Sequence, residues 1–261
     1  MFTPSVGLSA IAIVICGVLA GKSLAGVITS GCEDPNNCLL VELTHGGSIQ
    51  VDDKIFSGFT FSPTGSDPVP EPSQISVLPV GVGTNDPGLK FSSANQFLSG
   101  PNPQGQNFNV TYNVALAPNS TDRITDIDFS LDAPVTLNGT ASITGTEVAN
   151  CTGDTGLQPR REIDLTATPA GAMGSVDTMA PATSCDVFKQ LLLMGGATGF
   201  AQLLSFENRF SESPIPEPSG LALLIVGLLL MNFWRRGERG LRCRRATATR
   251  WRAVARYPVR G

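Results

Sequence analysis

A mostly β fold is predicted for this chain: an antiparallel β-sandwich or jelly-roll-like body, flanked by an N-terminal signal helix and a C-terminal transmembrane helix. Three observations carry the body. Apolar residues recur with period two over several short runs, the pattern of strands with one wet face. Clusters of Gly, Pro, Asn and Asp separate those runs, as turns require. No apolar stripe of helical period is sustained between the two ends, so an all-helical packing is excluded. Composition agrees. The 28 Gly and 19 Pro among 261 residues are rich in turns but lack the three-residue period of collagen. With 15% charged and 41% hydrophobic residues, a disordered polyelectrolyte is also excluded.

The first element is a charge-free apolar stretch over residues 6–20. It is short for a membrane span and suits the core of a signal peptide, although no Lys or Arg precedes it. Ser23-Leu24-Ala25 places small residues at the −3 and −1 positions of a leader-peptidase site, with cleavage before Gly26 and a leader over residues 1–25. Val18-Leu19-Ala20 is a second candidate site. Gly21-Lys22-Ser23 is not a phosphate loop, because Cys16 stands where its first glycine belongs. A lipoprotein reading at Cys32 fails, since Thr29-Ser30-Gly31 lacks the aliphatic residue expected there.

The body spans residues 26–213. Asp34-Pro35 is expected to open a short helix over 36–44. Strands are expected at 48–51, 54–61, 75–80 and 88–91. The strongest alternation runs over 107–116, where Phe108, Val110, Tyr112 and Val114 interleave with Asn107, Asn109, Thr111 and Asn113. Further strands are expected at 126–131, at 135–144 as one run, and at 162–167, 187–193 and 200–206. Gly81-Val82-Gly83 reads as a turn.

The last element is a second apolar stretch, a span over residues 219–234, stopped by Arg235 and Arg236. It is marginal for about 30 Å of hydrocarbon. The basic block behind it belongs on the cytoplasmic side. Charge is segregated accordingly. Between Gly26 and Pro218 seven basic residues face 21 acidic ones, a net of −14. After Trp234 ten arginines and Glu238 give +9. An acidic body repels phosphate, which excludes nucleic acid as its partner.

Immediately before the span the chain reads Ser213-Pro214-Ile215-Pro216-Glu217-Pro218-Ser219. Pro216-Glu217-Pro218, a short apolar span and an arginine cluster together resemble the PEP-CTERM sorting signal of Gram-negative bacteria, over residues 214–239. Pro70-Glu71-Pro72 repeats the tripeptide without a span or a basic cluster behind it. The resemblance implies a route: export, retention in the inner membrane, and cleavage near Pro216-Glu217-Pro218 by an exosortase partner. The body is then released to the cell envelope, cell surface or extracellular matrix, where exopolysaccharide is a further partner. Unlike most such tags, this one is followed by an Arg-rich cytoplasmic tail over residues 240–261, read as a solvated, disordered extension. The run from Gly47 to Phe59 resembles an opening hairpin found in PEP-CTERM proteins with β-sandwich bodies, which implies a fold and no chemistry.

Of six cysteines, Cys16 leaves with the leader and Cys243 faces the cytosol. Cys32, Cys38, Cys151 and Cys185 remain, an even number in an exported domain, which reads as two disulfides with three connectivities open. Cys32–Cys38 with Cys151–Cys185 is preferred; zinc is the alternative, but no His lies beside any of them.

No catalytic signature is found. The single histidine, His45, reads as a turn residue, and no G-x-S-x-G occurs. Asp126, Asp128 and Asp132 share one face of a strand and are candidate Ca²⁺ ligands, or else a charged solvent face; no other cofactor is expected. Both tryptophans lie outside the body and Tyr112 is its sole tyrosine, which weighs against sugar hydrolysis and against aromatic-platform sugar binding. Three functions remain: a non-enzymatic structural or interaction protein of the envelope or matrix, a binding module for glycan, Ca²⁺ or ice on the same scaffold, and a secreted hydrolase as the weakest.

Overall fold

A computed structural model describes residues 26–65, 67–101, 105–167 and 173–214; for 94–96 and 133–138 it describes the backbone alone. The leader, the Pro216-Glu217-Pro218 motif, the expected span with Arg235 and Arg236, and the arginine tail all lie outside the described residues. Among the described residues, no helix is long and apolar enough to cross a membrane. The chain divides into two units at the Pro214–Ile215 bond.

The described chain is an antiparallel β-sandwich, as the alternation predicts. In order it contains β1 (Val27–Ser30), β2 (Cys38–Leu39), α1 (Leu40–Thr44), β3 (Ser48–Val51), β4 (Lys54–Pro63), β5 (Ile75–Val80), β6 (Gly88–Ser99) and β7 (Gln106–Leu116). There follow β8 (Asp122–Asn138), β9 (Ser142–Gly153), β10 (Gly156–Leu157), β11 (Arg161–Ala167), β12 (Met173–Ala182), β13 (Ser184–Met194), β14 (Phe200–Arg209) and β15 (Glu212–Pro214). The first sheet has the order β1-β3-β4-β7-β13-β9-β10, with β11 also on β9. The second has the order β12-β8-β14-β6-β5-β2, with β15 on β8.

The two inner faces form the core. Phe56, Phe108 and Val114 of the first sheet meet Phe91, Phe97, Phe129 and Phe206 of the second, all of them fully buried. The Phe97 and Phe108 rings stack at 5.1 Å between centroids, and Phe91 stacks on Phe206 at 4.8 Å. Each such side chain stabilises the fold by about 1.5–3 kcal/mol on burial, and geometry of this kind adds to that. In β4 one extra residue enters the pairing with β7 between Ser57 and Thr60. This bulge turns Phe59 inward against Tyr112.

Three expectations are corrected. The run 135–144 is not one strand: it breaks at Gly139 (φ 63°), and its halves belong to β8 and β9 in different sheets. Gly139 allows the left-handed turn that its apolar-face position concealed. The helix begins at Leu40, not at residue 36. Asp34 to Asn37 forms a turn closed by the Asn37 N–H to the Asp34 carbonyl, and Cys38–Leu39 is extended against β5. The strand opening at residue 88 continues to Ser99. Both preferred disulfides are present, Cys32–Cys38 and Cys151–Cys185. The repeated tripeptide at Pro70-Glu71-Pro72 is part of the body and leads into a 3-10 turn over Pro72–Gln74.

Candidate functional site

The outer face of the first sheet is built of amide and hydroxyl side chains. Period two sends Asn107, Asn109, Thr111 and Asn113 of β7 outward, opposite their buried neighbours. Register then sets them beside matching groups. Ser62, Asn109, Gln190, Thr146 and Asp164 form one row across β4, β7, β13, β9 and β11. Thr60, Thr111, Phe188, Val148 and Glu162 form the next, and Ser57, Asn113, Asp186 and Asn150 a third. These rows contain no basic residue. Acids stand at Asp164, Glu162 and Asp186, and the middle holds the half-buried Phe188 ring beside Val148.

Neighbouring side chains hold one another in place. The Thr60 and Thr111 hydroxyls lie 2.6 Å apart, and Asn113 donates to Asp186 at 3.0 Å. Thr146 donates to Asp164 at 2.8 Å, and Gln190 to Asn107 at 3.3 Å. Asn109 Oδ1 is buried without a hydrogen-bond partner among the described residues. Such an orphan acceptor costs about 1–3 kcal/mol. The surface is therefore a hydrogen-bonding platform interrupted by the apolar Phe188 and Val148.

A second cluster sits where the body ends. Asp53, Asp122 and Glu212 bring carboxylate oxygens within 4.8 Å of one another. The cluster already contains a cation: the fully buried Lys54 ammonium pairs with Glu212 and lies 3.4 Å from Asp53. Ser120 also donates to Asp53. A divalent ion would have to displace Lys54, so the donor set fits an internal ion pair and not a metal. Burial, with Asp53 alongside, pushes the Glu212 carboxyl up to about 7. For Asp53 burial acts in the same direction but is outweighed, and hydrogen bonds with Glu212, Ser120 and Lys54 hold it below its ordinary value.

The folded pKa of Glu212 lies above the ordinary 4.5, so the folded state keeps a proton that the unfolded chain releases. Stability from this group is full below pH 4.5 and is lost as pH rises towards 7. Urea unfolding of Glu212→Gln between pH 4.5 and 7.5 is expected to lose that decline. An unchanged slope in the variant would show that the proton resides elsewhere.

The candidate Ca²⁺ ligands Asp126, Asp128 and Asp132 lie on the outer face of β8 in the second sheet. Asp132 pairs with Lys90 and accepts from Ser205, and Asp126 accepts the Ser211 N–H at 3.2 Å. Burial works against charge on Lys90, yet Asp132 and Glu207 outweigh it and raise the Lys90 pKa. Burial and the nearby Asp86 charge raise Asp128. The Asp126 charge also acts on Asp128, yet the three acids are not among the described carboxylates that converge within ligand distance of one another. His45 caps α1 and shares its Nδ1 with the Val41 carbonyl at 2.7 Å, as a turn residue does. Sequence reasoning missed the first sheet's face. The asparagines of β7 were legible as a wet row, but only cross-strand register reveals their partners. It also missed Lys54, whose burial nothing in its local sequence announces.

No protein-family profile matches the chain, and no curated protein matches it. Among solved structures, TmCBM61 in complex with β-1,4-galactotriose is 9% identical, over 57% of this chain and 86% of that one, with a TM-score of 0.29. The family 11 carbohydrate-binding module of Clostridium thermocellum, solved with a mixed-linked tetrasaccharide, is 10% identical over 58% and 86%, with a TM-score of 0.25. The enzymatically active domain of tailspike protein 4 from bacteriophage CBA120 is 14% identical over 56% of this chain and 19% of that one, with a TM-score of 0.25. Scores of this size do not extend to a shared fold, and the reading of the site rests on its own geometry.

Proposed function

We propose that this chain is an exported, non-catalytic binding module that takes a neutral, hydroxyl-rich polymer, a glycan, on the outer face of its first sheet. The observation that carries the reading is the set of amide and hydroxyl rows spanning five strands around Phe188, free of basic residues. Amides and hydroxyls both donate and accept, as sugar hydroxyls do. Phe188 offers an apolar patch for a sugar's C–H face, and the acids at the rim discourage polyanions. Among the described residues Asn109 keeps an acceptor unpaired, and a ligand hydroxyl would relieve it once the amide turns outward. Two disulfides suit a module that works outside the cytosol.

The sorting route belongs to the same proposal. Its support is that β15, the last described strand, ends at Pro214, two positions before Pro216-Glu217-Pro218. An exosortase that cleaves there would release the folded body whole into the envelope or matrix.

Titration of the protein against a glycan array, followed by calorimetry on the hits, tests the binding reading. Phe188→Ala and Asn109→Ala are each expected to weaken a hit by at least about tenfold, near 1.4 kcal/mol. Substitution of Asp126 on the opposite sheet is expected to leave it unchanged. An array without hits, or hits indifferent to Phe188 and Asn109, would remove this surface as the site.

A further inference from the structure

The hairpin between β3 and β4 has a two-residue loop, Asp52-Asp53, closed by the Val51–Lys54 pair. Asp52 takes the left-handed conformation at φ 55°, which Asp tolerates better than most residues. This turns its carboxylate inward, where the residue is only 9% exposed. Oδ1 accepts the Gly26 N–H at 2.9 Å, and Oδ2 accepts the Gly83 N–H at 2.8 Å. In return the Asp52 N–H donates to the Gly26 carbonyl at 2.8 Å. Gly83, at φ 75°, belongs to the loop over residues 81–84 and brings only its backbone to the site.

No lysine, arginine or histidine among the described residues pairs with Asp52. The charged neighbours in its own hairpin, Asp53 and Lys54, are engaged with Ser120 and Glu212. β1 carries no charged side chain. Asp52 is thus a buried carboxylate held by two neutral donors, whereas buried charges are ordinarily paired with opposite ones. One of its two donors is the nitrogen that becomes an amino terminus if the leader ends at Ala25.

We propose that Asp52 is the receptor for the mature amino terminus: removal of the leader between Ala25 and Gly26 leaves the Gly26 ammonium against the Asp52 carboxylate, and the ion pair fastens edge strand β1 to the sandwich. The proposal rests on the reading of residues 1–25 as a removed leader. In the cleavage water adds across the Ala25–Gly26 bond. Its oxygen stays on Ala25 as a carboxylate, and both its protons end on the Gly26 nitrogen as an ammonium. A hydrogen bond from a neutral amide to the carboxylate is thereby replaced by an ion pair in which both partners are charged. Cleavage after Ala20 instead leaves Gly26 an ordinary amide and Asp52 without a counter-charge.

The test uses full-length protein exported by the producing cell and purified. Mass spectrometry of its N-terminal peptide is expected to begin at Gly26. Competitive acetylation then reads the α-amine at pH 8 in the native protein and after unfolding in urea. A free α-amine titrates at about 7.7–8.0; the captured one is expected to remain protonated and to react at least about tenfold more slowly in the native state. The Asp52→Asn variant is expected to lose that protection, and the native-to-unfolded comparison decides the matter even if the variant does not fold. A start at Gly26 with equal reactivity in both states would overturn the capture while leaving leader removal intact. A start at another residue, or an uncut leader, would overturn the proposal through the reading beneath it.

Discussion

Replacing both Cys151 and Cys185 by Ser is expected to lower the unfolding free energy by roughly 3–4 kcal/mol. The bridge joins directly opposed residues of β9 and β13, both buried. Those strands are separated by a chain segment with a sequence separation of 34. Removing a cross-link of that span restores about 3.8 kcal/mol of loop freedom to the unfolded state in the chain-entropy account. The Cys32–Cys38 bridge has a separation of 6, for which the same account gives about 2.2 kcal/mol. Its loss is therefore expected to be the milder one, confined to the turn before α1. Chemical denaturation of the two double-serine variants checks both values. Equal destabilisation by the two would refute the ranking by loop length.

Lys189→Met is expected to destabilise the protein by about 3–5 kcal/mol, as a buried pair does when one member is removed. Lys189 and Glu147 face each other across β13 and β9 inside the sandwich, and both are almost fully buried. Burial depresses the Lys189 pKa to about 8 and raises that of Glu147, with their mutual attraction opposing both shifts. The pair is enclosed by further contacts. The Lys189 ammonium lies 3.7 Å from the centroid of the Phe129 ring, on the other sheet. Asn208 donates to both Glu147 oxygens, at 3.1 and 3.2 Å, and to the Asp128 carbonyl at 2.8 Å. Tyr112 donates to Asn208, and burial together with the Glu147 charge raises the Tyr112 pKa well above its ordinary value. The network thus stitches one sheet to the other through groups that must all be satisfied. Lys189→Met combined with Glu147→Gln removes both charges and is expected to recover most of the loss. Denaturant midpoints of the single and double variants give the comparison. A single variant as stable as the double would show that Glu147 needs no counter-ion.

Sequence reading reached the sandwich because one face of each strand is wet. The alternation in β7 and β13 is the direct imprint of a core on one side and solvent on the other. It failed where both faces or neither are covered. Edge strand β12 is exposed along most of its length and carries no alternation. β2 and β15 are too short for any period to appear. Within β13 the lysine among Val187, Leu191 and Leu193 sits at an inward position. Its partner Glu147 is 42 residues away in sequence, so only register brings them together. The disulfides were legible because so few cysteines remain once the ends are set aside. The proposed binding face was half legible: the residues of β7 were visible, and their alignment with Gln190, Thr146 and Phe188 was not.

The order of strands also governs when this chain can fold. In the first sheet β13 lies between β7 and β9, and in the second β14 lies between β8 and β6. Each sheet therefore receives a central strand from the closing quarter of the body, and neither half can knit before residues 184–209 arrive. Such long-range closure is slow. If the body is exported as proposed, that delay keeps it unfolded, and so able to pass a translocation channel, until nearly all of it has crossed.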